Sequence, residues 1–173
     1  MRMKLASVAF ALALAPAAAF SQAAKPTDPQ IAHIAYTAGE IDIAAGKQAL
    51  KVSKNAQVRS FAEEMVRDHT AVNDQALALV KKLHVTPQDN PTSQALKKKA
   101  DAQLASQAKL SGAAFDRAYA ANEVAYHKTV NSALQKTLIP DAKNAELKSL
   151  LQTGLKLFTE HQHHAEELAA KIK

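Results

Sequence analysis

The sequence predicts an all-α protein, a four-helix bundle whose one long crossover carries a short extra helix. Three observations lead there. Alanine, leucine, lysine and glutamine are abundant, while glycine occurs only 4 times in 173 residues, a balance that favours helix over turn. Apolar residues recur at three- and four-residue spacing, and no long stretch alternates apolar with polar as a half-buried strand would. Breaks near Lys54-Asn55, Val85 to Pro91, Ser111-Gly112 and Pro140 leave four helices of about 25 residues and one shorter segment.

The chain opens with Met1-Arg2-Met3-Lys4, two positive charges ahead of a largely apolar run from Leu5 to Phe20 that gives way to Ser21-Gln22-Ala23. That pattern is a secretory signal peptide, because the apolar run is short of the roughly 20 residues a membrane span needs and small residues occupy the two positions a signal peptidase reads. Cleavage is expected after Ala23, giving residues 1–23 as signal and 24–173 as a single domain. The expected location is therefore the periplasm, with association to the outer membrane compatible with the same signal. No cysteine is present, which excludes a lipoprotein anchor, disulfide staples, thiolate metal sites and cysteine nucleophiles. No transmembrane anchor is expected after cleavage.

The first long helix begins at Asp28-Pro29, which reads as an N-cap followed by a first-turn proline, and carries Ile31, Ile34, Ile41, Ala45 and Val52 to about Ser53. Asn55 caps the second, whose stripe runs through Val58, Phe61, Met65, Val72, Ala76, Leu79 and Leu83 with one gap at His69. Asn90-Pro91 starts the short lysine-rich helix of the crossover, expected to end near Leu110. The third long helix is expected from Ala113 to Thr137, and the fourth from Asp141 or Asn144 through Leu147, Leu151, Leu155, Phe158, His161, Ala165 and Leu168.

The charge is mild. The whole chain has 22 Lys+Arg against 16 Asp+Glu, and loss of Arg2 and Lys4 with the signal lowers the formal net charge from +6 by those two units. The one lysine run, Lys97-Lys98-Lys99, has no interleaved aromatics and reads as a solvated helix face, so nucleic-acid binding is not expected.

Histidines carry the chemistry. His69, His127 and His161 lie on three different long helices, and His69 and His161 fall on apolar stripes. A buried neutral imidazole needs a hydrogen-bond partner or a metal for its lone pair, so inward histidines on separate helices point to a converging polar site. Glu123 and His127 stand at i and i+4, with Asp116 and Tyr119 on the same face. Counting from the turn near Lys54, Glu40 lies level with His69, and His127 is about as deep in its helix as His69 is in its own, so these three form one expected layer. Asp68, about 100° around the helix from His69, suits support of a ligand better than ligation. His161, reflected through the last turn, falls opposite Tyr119 or Ala120, about 11 Å from His127. The run Glu160-His161-Gln162-His163-His164 is the densest donor patch, and His161 with His164 at i, i+3 has the spacing of a surface metal clamp.

Phe61-Ala62-Glu63-Glu64-Met65-Val66-Arg67-Asp68-His69-Thr70-Ala71-Val72-Asn73 and Gly112-Ala113-Ala114-Phe115-Asp116-Arg117-Ala118-Tyr119, with Gly39-Glu40-Ile41-Asp42, resemble the bacterial envelope family called domain of unknown function 4142. The resemblance spans nearly all of the mature chain. It implies a ferritin-like bundle with Glu40, His69, His127 and His161 at the family's recurring polar positions, and it supplies no activity. The chain has Lys156 where the family pattern has proline. The Glu-x-x-His pair of di-iron bundles is absent, since Val66, Val124 and Phe158 stand three residues before the histidines, so an oxygen-activating di-iron centre is not expected.

Two functions follow as expectations. The first is a bundle that binds one transition metal (Fe, Zn, Mn, Cu or Ni) through Glu40, His69 and His127, completed by Glu123 or His161. The second is an envelope stress or interaction protein with chaperone-like contacts, in which the histidines are polar core residues. No nucleophile stands beside a base in a recognisable motif, so the sequence carries no hydrolase signature.

Overall fold

A computed structural model describes residues 25–172. The signal peptide expected at residues 1–23 lies outside the described residues. The helices are α1 (Asp28–Val52), α2 (Ala56–Lys82), α3 (Pro91–Gln107), α4 (Gly112–Ala133), a π-helical turn (Leu134–Leu138), α5 (Ile139–Asp141) and α6 (Ala145–Lys171). Among the described residues there is no strand, and no helix is long and apolar enough to cross a membrane. The expected all-α bundle with a helix-bearing crossover is what forms.

Each start is explained locally. The first helix begins one residue earlier than the Asp28 cap predicts. Thr27 is the N-cap, its backbone N–H donating to Gln30 Oε1 at 3.0 Å. Asp28 is thereby free to accept from the backbone N–H groups of Lys143 and Asn144, both at 2.8 Å, and so ties the last turn to the start of α1. Asn55 and Asn144 each accept from two backbone N–H groups at the starts of α2 and α6, and Asn90 accepts from Ser93 N–H at the start of α3.

The topology follows from contacts at the two ends. α1 and α2 form a tight antiparallel hairpin, as do α4 and α6, and α2 packs on α6 while α1 packs on α4. The crossover helix runs alongside α1: Asn90 Nδ2 donates to Gln30 O at one end and Gln48 Nε2 to Leu104 O at the other. It thereby returns the chain to the α1–α2 turn, where Ser53 Oγ donates to Asp116 at 2.5 Å. α2 and α4 therefore run parallel, as the long crossover predicts.

The expected end of the third long helix at Thr137 is corrected. The helical path continues through Pro140 to Asp141. Proline lacks an N–H and cannot close an ordinary helical bond, and the backbone accommodates it by widening the turn before it. Ile139 N–H reaches back to Leu134 O, five residues away.

The core has two apolar clusters. One, around Phe61, Met65, Phe115, Tyr119 and Ala165, fills the end near the α1–α2 turn, and the other, around Ile31, Ile34, Leu138, Leu151 and Phe158, fills the opposite end. α1 and α2 approach closely at Gly46, where a Cβ would stand 2.8 Å from Val66 Cγ2 and 3.1 Å from the Ala62 carbonyl oxygen. Gly46→Val is expected to cost about 2 kcal/mol through overpacking. A urea midpoint equal to that of the unsubstituted protein would show that the two helices do not depend on this contact.

Candidate metal centre

Between the two apolar clusters lies a polar layer. Its members come from all four long helices because each occupies a core position on its own helix. On α6 the buried series Leu147, Leu151, Gly154, Phe158, His161, Ala165, Leu168 alternates four- and three-residue steps, so His161 must face inward. His69 follows Val58, Phe61, Ala62 and Met65 on α2, and Glu123 and His127 follow Phe115 and Tyr119 on α4. Asp42 lies on the α1 face that carries Ala45 and Ala49, and it is 1 % exposed.

The three imidazoles form a triangle. Ring centroids are 5.8 Å apart for His69–His127, 5.3 Å for His69–His161 and 5.6 Å for His127–His161, and ligand nitrogens of all three lie within 4.8 Å of one another. Phe158 backs His69 as a parallel stack at 4.5 Å. Asp42 closes the triangle: its Oδ2 is 3.1 Å from His69 Nε2 and 3.3 Å from His127 Nε2. Glu123 adjoins them, with donor atoms of Asp42, Glu123 and His127 within the same 4.8 Å limit.

Hydrogen bonds on the far side of two rings decide which nitrogen faces in. His127 Nδ1 lies 3.0 Å from the Glu123 carbonyl, which can only accept, so Nδ1–H donates there and Nε2 turns its lone pair to Asp42. His161 Nε2 lies 3.1 Å from Asp68 Oδ2, so Nε2–H donates outward and Nδ1 presents its lone pair to the interior. Short distances within the layer do not amount to aligned hydrogen bonds. Among the described residues, both oxygens of Asp42 and of Glu123, both nitrogens of His69, His127 Nε2 and His161 Nδ1 are buried without one.

The electrostatics separate the two acids. Burial pushes the Asp42 carboxyl up, but His69 above all, then His127 and His161, outweigh it and hold it down at about 2. Glu123 is pushed well above the ordinary carboxylate range by burial and by the Asp42 charge. Burial lowers His127, against the pull of Asp42, and lowers His161 to about 4 with help from His69. Both are neutral at pH 7, the form that ligates a cation. Tyr119 is buried beside them, its phenol pushed well up by burial and then by Glu123 and Asp42.

The structure brings together His69, Glu123, His127 and His161 and leaves Glu40 out. Glu40 is exposed, and its Oε1 accepts from Asn73 Nδ2 at 2.9 Å. It has the expected height but not the expected side, because Asp42, two residues on, is turned about 200° around α1 and only about 3 Å further along it. Asp42 is the acid of the layer, and its place on the apolar face with Ala45 and Ala49 was the signal for it. The expected 11 Å gap at His161 is also corrected, because the helical path runs on to Asp141 before the chain turns. Asp116 faces its own partner, Ser53, outside the layer. His163 and His164 are exposed while His161 is buried, so of the three only His161 belongs to the layer.

A metal fits these residues. Three imidazoles and two carboxylates are borderline-to-hard donors, and spacings under 4.8 Å agree with the roughly 3 to 4 Å between ligand atoms around an ion bound at about 2.1 Å.

No curated protein and no solved structure matches this chain. The sequence pattern of one family, the domain of unknown function DUF4142, matches residues 13–168, and the chain belongs to that family.

Proposed function

We propose that this is an exported periplasmic bundle that holds one divalent transition ion through Asp42, His69, His127 and His161, with Glu123 as a fifth donor. The observation that carries the reading is the set of buried polar atoms facing one another without hydrogen bonds. Each such atom costs about 1–3 kcal/mol when left unmade, and a single cation satisfies all of those that converge. Charge selects a divalent ion: with Asp42 and Glu123 both ionised, the buried assembly is neutral, which removes most of the penalty of burying an ion. Ligation needs the carboxylates ionised and the imidazoles neutral, so binding strengthens as pH rises.

The ion would act as a Lewis acid or redox centre only if something could reach it. Every donor is 2 % exposed or less, which favours a structural or retained ion over metal-assisted hydrolysis. The chaperone-like alternative has less support. Leu77 and Leu110 are the large apolar side chains exposed among the described residues, and they sit on different segments.

Mature protein, stripped with chelator and then dialysed against Zn²⁺ or Ni²⁺, is expected to retain one equivalent. Its melting temperature should rise by roughly 5–10 °C at a hundredfold excess over Kd. Asp42→Asn and His127→Gln should abolish both effects, while Glu40→Ala leaves them intact. A wild-type protein that comes out of dialysis empty and melts unchanged rules the reading out.

The metal-free protein should also be acid-sensitive in a defined window. The folded chain favours neutral His161, with its imidazole lowered to about 4, so the unfolded chain takes up the proton first as pH falls below 6.5. Stability is full above 6.5, declines towards pH 4 by up to about 3 kcal/mol from this group, and loses nothing more from it below that. Urea midpoints at pH 7.5 and 5.0 measure it, and His161→Asn should flatten the difference.

A further inference from the structure

Full burial raises the question of how an ion reaches the layer. His161 is the one donor whose outer nitrogen leads back towards water. Its Nε2 meets Asp68 Oδ2 at 3.1 Å, and the Asp68 side chain is 17 % exposed. One turn earlier on α2 stands Glu64, and one turn later on α6 stands His164, whose Nδ1 is 3.1 Å from Glu64 Oε1. Glu64 and His164 line the same open surface pocket, and donor atoms of Glu64, Asp68 and His161 lie within 4.8 Å of one another.

This group is more than an acidic patch. His161 is fully buried, and its Nδ1 has no hydrogen bond among the described residues and faces the inner layer. One imidazole thus has an outer nitrogen in one donor set and an inner nitrogen in the other. The side chains that flank the seam are consistent with a path that opens. Arg67 pairs with Asp68 through Nε at 2.7 Å and Nη2 at 3.0 Å, but its side chain is 69 % exposed and can swing into solvent when a cation replaces it. On the other side of the layer the Phe158 ring lies flat on His69 and presents carbon only.

We propose that Glu64, Asp68, His164 and the outer nitrogen of His161 form a second, half-exposed cation site that takes a divalent transition ion from solvent and passes it to the buried centre. The proposal rests on the core-ion reading above. Ligation by Nε2 displaces its one proton, which leaves through Asp68 to water. The ion then moves across the width of one imidazole to Nδ1, His69, His127 and Asp42, a proton returns from water through Asp68 to Nε2, and Arg67 pairs with Asp68 again. The recognised species is a bare or hydrated divalent ion with affinity for imidazole and carboxylate, which selects for the Mn-to-Zn series over Mg²⁺ and Ca²⁺.

Stopped-flow mixing of mature apo-protein with Co²⁺ alone, followed by the ligand-field absorption of the bound ion, tests it. The double variant Glu64→Gln/His164→Gln changes only surface side chains, and its circular dichroism should match wild type. It is expected to reach the same one tight equivalent and the same final spectrum, with the loading rate at least tenfold slower. His127→Gln is expected to lose the tight equivalent and keep a weaker one, which Glu64→Gln/His164→Gln then removes. Loading of the double variant at the wild-type rate, or no residual equivalent in His127→Gln, overturns the outer site while leaving the core centre standing. Absence of any tight equivalent in wild type overturns the core centre itself and this route with it.

Discussion

One ionised carboxylate facing three buried imidazoles in a dry interior governs this structure. Asp42 is held low by the histidines around it, and the same burial keeps His127 and His161 from taking a proton. Polar groups so placed cannot be solvated and are not aligned with one another, so the helices that carry them are fixed by demands that apolar packing does not make. The apolar clusters above and below supply the cohesion. The layer between them costs stability, and five leucines would pack there at lower cost.

Small backbone devices hold that layer in register. Gly46 lets α1 and α2 come close enough for Asp42 Oδ2 to reach His69 Nε2 at 3.1 Å. Asn73, one turn beyond His69, lies over Gly39 and donates to Tyr36 O, which ties the same pair of helices on the other side of the layer. The π-helical turn before Pro140 carries the helical path to Asp141, and Asp28 then pins the reversal at Lys143 and Asn144. Together these set the height of α6 against α4, which is what places His161 beside His127.

Much of this was legible in the residues. The helical period, the Asn55 and Asn90 starts and the parallel α2 and α4 all follow from local spacing and one long connection, whereas spacing alone left the last start at Asp141 or Asn144. His69 was visible as a gap in an apolar stripe. Height along the bundle was harder, because it depends on where a turn is centred: a shift of three or four residues in the turn moves the residue opposite by about seven, the whole of the apparent His161 gap. Pro140 looked like a stop, and only the widened turn shows that the helix passes through it. Glu40 and Asp42 differ in angle: the first is exposed and the second is buried in the layer. Counting residues gives level, and only the periodicity of the buried face gives side.

A proton and a metal ion are the two cations that can answer such a layer, and they answer it differently. One proton shared between Asp42 and an imidazole neutralises one charge and aligns one bond, leaving most of the converging lone pairs facing each other. A divalent ion held there would take one donor atom from each side chain, and with both carboxylates ionised the buried charge would sum to zero. The arrangement of the rings bears on this choice. Hydrogen bonds to the Glu123 carbonyl and to Asp68 spend the N–H of two histidines on outside acceptors, so that lone pairs and not protons are what the interior receives. A layer arranged to hold protons would turn an N–H inward towards Asp42, and at His127 and His161 this one turns its N–H groups away.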